Sequence, residues 1–271
     1  MKRSVFFLSD GTGITVEAIA HSLLAQFDGV EFVRHTIPFI NSANKAWDVV
    51  KQIDAQFELD GMRPLLFSTL VDPDMRRVLR HSKGFLIDIF DAFINPLEAE
   101  LGMDSSHAVG KTHGMRNHSA YKERIDATNF AVNNDDGVSA KYYDTADIVI
   151  IGVSRSGKTP TCLYLAMNYG LKAANYPITD EDLDTTELPA PIQAHKDKLF
   201  GLTIDPHRLQ QIRQERRPNS RYASLDQCLR EIRVVEQMFN RHRIPFLNTT
   251  TISIEEIVTA IAHQVGVKKR L

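Results

Sequence analysis

Residues Gly152-Val153-Ser154-Arg155-Ser156-Gly157-Lys158-Thr159 fit the pattern G-x-x-x-x-G-K-[ST] in full. An apolar run, Asp147-Ile148-Val149-Ile150-Ile151, leads into them, and Lys158–Tyr169 follows with helical spacing of apolar residues. The order dictates a strand, a tight loop and a helix. A strand that passes at once into a helix finds its sheet neighbours through crossovers, so the pattern calls for a parallel sheet with helices on its faces. It also dictates a chemistry. Backbone N–H groups of the loop and of the helix N-terminus converge on phosphate oxygens, Lys158 neutralises their charge, and the Thr159 hydroxyl is placed to ligate Mg²⁺.

The rest of the chain follows the same alternation. Short runs rich in Val, Ile and Phe at Val5–Ser9, Glu31–Ile37, Pro64–Leu70 and Phe85–Phe90 predict strands, with helices at Ile14–Gln26, Ser42–Phe57, Pro73–Arg80 and Asp91–Leu101. Ser42 and Asp72 suit N-caps, and Pro73 suits a first helical position. A polar stretch, Gly102–His118, predicts an inter-domain connection. Beyond it the spacing predicts a helix over Ser119–Asn133, closed by the turn-like Asn134-Asp135-Asp136-Gly137, and then strand Asp147–Gly152 and helix Lys158–Tyr169. Strands Lys172–Ile178 and Lys198–Ile204, one long helical region Pro206–His242, a short strand Phe246–Asn248 and a last helix from Ser253 complete the pattern. Thr179–Pro191, with five acids and two prolines, reads as a solvated loop. The expected fold class is α/β in two domains, a Rossmann-like parallel-sheet domain over 1–106 and a P-loop kinase-like α/β domain over 107–271.

Composition narrows the function. Lys plus Arg number 32 against 34 Asp plus Glu, a net charge of −2, with 43% hydrophobic and 24% charged residues. These values exclude a disordered, collagen-like or disulfide-scaffold chain and leave no overall basic excess for nucleic-acid binding. Cys162 and Cys228 form no zinc spacing and suit a reducing compartment as small apolar residues. The opening run Val5-Phe6-Phe7-Leu8 is too short for a secretory signal, and no apolar stretch is long enough to span a membrane. A soluble cytoplasmic protein is expected, with neither nucleic acid nor membrane as partner and with homo-oligomerisation left open.

Guanine recognition would bring an Asn-Lys-x-Asp segment after a later strand; Asn44-Lys45-Ala46-Trp47-Asp48 has the wrong spacing and precedes the P-loop, so a GTPase switch is not expected. Asp205 ends a strand and reads either as the carboxylate holding Mg²⁺ through water or as the N-cap of the helix from Pro206. Between Asp205 and Arg243, nine arginines face five acids, a local excess of four positive charges. Arg213, Arg217 and Arg221 are four apart and could share one face, closing over transferring phosphates; the alternative is exposed helix charges paired with acids. Ser9-Asp10-Gly11-Thr12-Gly13 reads either as a second, weaker anion loop, lacking the third glycine of a dinucleotide fingerprint, or as a simple tight turn. Asp10 lies where open α/β sheets place functional groups. His107, His113 and His118 lack metal-ligand spacing and read as surface loop.

Ser9–Gly13, the run Asn129-Phe130-Ala131-Val132-Asn133-Asn134-Asp135-Asp136-Gly137, Ile151–Pro160, and Gly201–Pro206 with Arg213-Gln214-Glu215-Arg216 resemble the bacterial phosphoenolpyruvate synthase regulatory protein family, over nearly the whole chain. Gly157 before Lys158 resembles the branch acting on phosphoenolpyruvate synthase more than the branch acting on pyruvate, phosphate dikinase, where serine is frequent at that place. Asn134 departs from the family, which often has His there.

The resemblance implies a bifunctional enzyme. One activity is an ADP-dependent serine/threonine protein kinase that phosphorylates a threonine of phosphoenolpyruvate synthase, inactivates it and releases AMP. The other is a phosphorylase in which inorganic phosphate (Pi) removes that phosphate as pyrophosphate (PPi). ADP, Pi and Mg²⁺ are the implied ligands. Gly152 through Thr159 would then hold nucleotide or Pi together with Arg213 and Arg217, with Lys158 on the transferring phosphoryl group and Mg²⁺ at Thr159 and Asp205. Asp10, Asp135 and Asp136 are the candidates to orient or deprotonate the threonine, with the Asp135-Asp136 pair preferred among them and a solvent turn as the alternative reading for either one alone. A P-loop small-molecule kinase and a non-catalytic nucleotide-sensing module are the competing classes.

Overall fold

The strand–helix alternation resolves into two four-stranded sheets in which every pairing is parallel. This computed structural model describes residues 1–106, 108, 118–135 and 140–264, and the chain divides into two units, Met1–Gly114 and Met115–Leu271.

In the first unit β1 (Lys2–Leu8) is flanked by β2 (Glu31–Ile37) on one side and by β3 (Leu65–Ser68), then β4 (Phe85–Asp88), on the other. The continuous apolar run of β1 reflects burial on both faces, as a parallel sheet requires. Val5 and Phe7 pack with Val16, Ala20 and Leu24 of α1 (Ile14–Leu24). Phe6 and Leu8 pack with Val49 and Ile53 of α2 (Ala43–Asp60) and Leu79 of α3 (Pro73–Leu79). The expected caps are present: Ser42 accepts from the Lys45 N–H, and Asp72 accepts from Asp74 and Met75 with Pro73 opening the helix. α4 (Ile89–Leu101) begins two residues earlier than its apolar spacing suggests, because Asp88 caps it by accepting from the Asp91 N–H.

The second unit starts with α5 (His118–Asn133) and continues through β5 (Ile148–Val153), α6 (Lys158–Tyr169), β6 (Ala173–Ile178), α7 (Ala190–Gln193) and β7 (Leu199–Thr203). It ends with α8 (Pro206–Arg216), α9 (Leu225–His242), β8 (Phe246–Asn248) and α10 (Ile254–Gln264). Its sheet order, β6-β5-β7-β8, repeats that of the first unit, β2-β1-β3-β4. Val149 and Ile151 of β5 face α9 through Val235 and Phe239, while Ile148 and Ile150 face α6 through Leu165 and α10 through Ile261. The chain leaves the carboxyl end of the first strand with neighbours on both sides, the place where open α/β sheets form their ligand crevice.

Two sequence expectations change. The long helix over Pro206–His242 is two helices, α8 and α9, because Pro218 cannot donate to a helical ladder and pushes Arg217 out of helical conformation (φ −140°, ψ 79°). Thr179–Pro191 is not simply a solvated loop. Leu183 and Leu188 join the core on the α9 face together with Ile192 of α7, while Asp182 closes a capping box with Thr179. Among the described residues no helix is long and apolar enough to cross a membrane.

Cys162 and Cys228 are both free and buried, and burial pushes both thiols above their usual pKa. Neither should react with an aromatic disulfide reagent in the native protein, and both should react in urea; the thiol titre with and without denaturant checks this.

Candidate functional site

β5 hands over to α6 through Gly152–Thr159, and the backbone of this loop has specific requirements. A Cβ on Gly152 would lie 2.4 Å from the Leu202 carbonyl oxygen, so only glycine lets the strand end lie this close to β7. Gly157 caps α6 at φ 94° with no side-chain partner, a left-handed conformation suited to glycine. Between them Arg155 adopts φ 75° despite its side chain. Several bonds hold this shape. Ser156 N donates to Val153 O (3.3 Å), the buried Lys158 ammonium donates to the same carbonyl (2.9 Å), and Thr249 Oγ1 donates to Ser156 O (3.2 Å).

A cavity of about 700 Å³ opens over the loop. Ser154, Arg155, Gly157, Lys158 and Thr159 form its floor, and Ile212, Arg216, Arg217 and Tyr222 its wall with Pro160. Among the described residues four cationic side chains line it and no carboxylate does. Such a concave field of one sign concentrates anions.

Asp135 meets the loop at Thr159, whose hydroxyl donates to Asp135 Oδ1 at 2.8 Å, and the Asn175 amide donates to the same oxygen. Asn134, one residue earlier, is buried with its Oδ1 unpartnered among the described residues. The Thr159 hydroxyl and the Asp135 carboxylate are hard oxygen donors side by side, a set that fits Mg²⁺ completed by phosphate oxygens and water. Among the described residues no group of three or more His, Cys, Asp or Glu could hold a metal without such help.

The other sequence candidates are distributed differently. Arg217 reaches the cavity. Arg213 does not: it is fully buried, paired with Glu231, and points into the α8–α9 interface rather than at a ligand. It therefore shares no exposed face with Arg217, which lies beyond the last turn of α8. Asp205 caps α8, its Oδ1 accepting from His207 N and Arg208 N, and lines a separate concavity with Arg233, Glu236 and Asn248. The carboxylate bonded to the Thr159 hydroxyl is that of Asp135. Asp10 belongs to the first unit, where its Oδ2 accepts from Val71 N at 2.9 Å and ties the end of β1 to the segment after β3. Asp136, His107 and His113 lie outside the described residues, and His118 opens α5. Tyr222 and Asn175 were not singled out from sequence, and Arg216 entered only as one of the nine arginines and the end of the Arg213-Gln214-Glu215-Arg216 run. The Arg217-Pro218-Asn219 break was the available signal for Tyr222, and a lone Asn within an apolar strand for Asn175.

Residues 5–262 match the kinase/pyrophosphorylase family. A protein of Marinobacter nauticus named "Putative phosphoenolpyruvate synthase regulatory protein" is 56% identical over 269 residues, covering 99% of each chain. Proteins of the same name from Ectopseudomonas mendocina and Pseudomonas putida are 55% identical over 271 residues and 54% identical over 270 residues. These cover 100% of this chain in both cases, and 100% and 99% of the respective relatives.

Gly152→Ala should destabilise the chain by about 1–3 kcal/mol through overpacking against Leu202, seen as a lower urea midpoint at unchanged slope.

Proposed function

Because the chain belongs to the kinase/pyrophosphorylase family, we propose that it is an ADP-dependent serine/threonine protein kinase and a Pi-dependent, pyrophosphate-forming phosphorylase. Its protein substrate in this reading is phosphoenolpyruvate synthase, the protein that its relatives' names mention. The observation that carries the reading is the Asp135 carboxylate seated on the Thr159 hydroxyl at the edge of a cavity lined by four cations.

In the kinase direction the target threonine oxygen bonds to the β-phosphorus of ADP. The bond from that phosphorus to the bridging oxygen breaks, AMP leaves with the electron pair, and the threonine proton passes to Asp135. In the reverse direction an oxygen of Pi bonds to the phosphothreonine phosphorus, pyrophosphate departs, and the threonine oxygen regains a proton from Asp135. Both directions move one phosphoryl group between a threonine oxygen and a phosphate oxygen, so one P-loop cradle serves ADP and Pi in turn. Loop N–H groups and Lys158 stabilise charge on the transferring group, while Arg155, Arg216 and Arg217 hold the phosphates around it. Mg²⁺ at the Thr159 oxygen would neutralise phosphate charge. Asn175 fixes the Asp135 carboxylate so that it orients the threonine.

ADP labelled at its β-phosphate, incubated with the protein with and without phosphoenolpyruvate synthase, should label the synthase alone. Label on a small molecule would favour a metabolite kinase, and no transfer would favour a nucleotide sensor. Lys158→Ala should lower both reactions by about 100-fold or more. Loss of the kinase with phosphorolysis at full rate would overturn the single cradle.

A further inference from the structure

Arg213 and Glu231 form an ion pair shut away from water, with side chains 1% and 8% exposed. The fork is bidentate: Nη1 donates to Oε1 at 2.9 Å and Nη2 to Oε2 at 2.7 Å. Burial works against the charge on Arg213, but the bonds and charge of Glu231 outweigh it and hold the guanidinium above its ordinary pKa. The same two nitrogens also reach backbone. Nη1 donates to Tyr222 O at 3.0 Å and Nη2 to Ser154 O at 3.1 Å. The guanidinium lies 4.1 Å from the Tyr222 ring centre, and the Tyr222 hydroxyl meets Ser154 Oγ at 2.9 Å. Ser154 is thus held through both its carbonyl and its side chain.

We infer that Arg213, Glu231 and Tyr222 are positioning residues for the phosphate cradle, fixing the Ser154–Arg155 peptide and tying it to the segment that carries Arg216 and Arg217. The inference rests on reading that loop as the nucleotide-phosphate site. Its physical basis is the trans peptide: with the Ser154 carbonyl fixed on Arg213, the Arg155 N–H must point to the opposite side. Released, the peptide could rotate to relieve the left-handed φ at Arg155 and turn its carbonyl toward an anion. Buried ion pairs are seldom more stabilising than apolar residues of like volume. The bond to Ser154 O is what an apolar pair could not supply. The clamp also grips both ends of the arginine segment, Arg213 before it and Tyr222 after it, so loop and arginines are ordered together.

The test compares Arg213→Met/Glu231→Leu, which removes both charges, with Arg213→Lys, which keeps the charge but cannot fork to two partners. Thermal melts and circular dichroism report folding, and calorimetry reports affinity for ADP and for inorganic phosphate. The double variant should melt cooperatively and bind ADP at least about tenfold more weakly. Wild-type affinity in a folded double variant would overturn the inference. Should the double variant not fold, Arg213→Lys decides, with the same loss expected below its melting temperature and an unchanged affinity overturning the inference. Lys158→Ala separates the two levels. Binding lost there but intact in the clamp variants removes the clamp alone, whereas binding intact in Lys158→Ala removes the nucleotide reading and the clamp with it.

Discussion

At Arg155 the backbone turns through φ 75° with a full side chain in place, a conformation that costs about 1–3 kcal/mol where nothing holds it. The second unit is arranged so that it is held. β7 approaches until only a glycine fits at position 152, and Thr249 from beyond β8 holds the Ser156 carbonyl. Lys158 folds back on Val153, and α8 sends Arg213 under Ser154. Without these partners the loop N–H groups would have no common direction, and the cations around them would surround an undefined shape.

Charge follows from the same arrangement. The chain as a whole carries −2, yet four cationic side chains line one cavity with no carboxylate among the described lining residues. The acids stand elsewhere, in helix caps, in surface ion pairs such as Arg241 with Glu187, and in the buried Glu231. Among the described residues Asp135 approaches the loop, and it does so at Thr159, where a hydroxyl and an amide both donate to its Oδ1. A cationic cavity that concentrates anions and a hydrogen-bonded carboxylate therefore lie next to each other.

The first unit is a natural control for what topology alone provides. Its strand order is the same, and Gly13 caps α1 at φ 89° much as Gly157 caps α6 at φ 94°. After Gly13, however, comes the exposed Ile14, where the second unit has Lys158. Asp10 in that loop is spent on the Val71 N–H. Shared fold geometry places a loop at the crevice; side-chain chemistry decides what the loop can do.

Local rules in the sequence determined the parallel α/β class, the strand–loop–helix around Gly152–Thr159, and the caps at Ser42 and Asp72, because each depends on residues within a few positions of one another. Asp135 was among the candidates, but nothing in its spacing placed it 24 residues away against Thr159. The helix predicted over Pro206–His242 ran straight through Pro218, and only the folded chain showed the break there as a wall bearing Arg216, Arg217 and Tyr222. The tertiary structure alone separated Arg217, in the cavity, from Arg213, buried on Glu231, and showed Asp205 capping α8. The reason is physical: local pattern fixes which backbone dihedrals are favourable, whereas the partner of a charged side chain is set by which helix packs across from it.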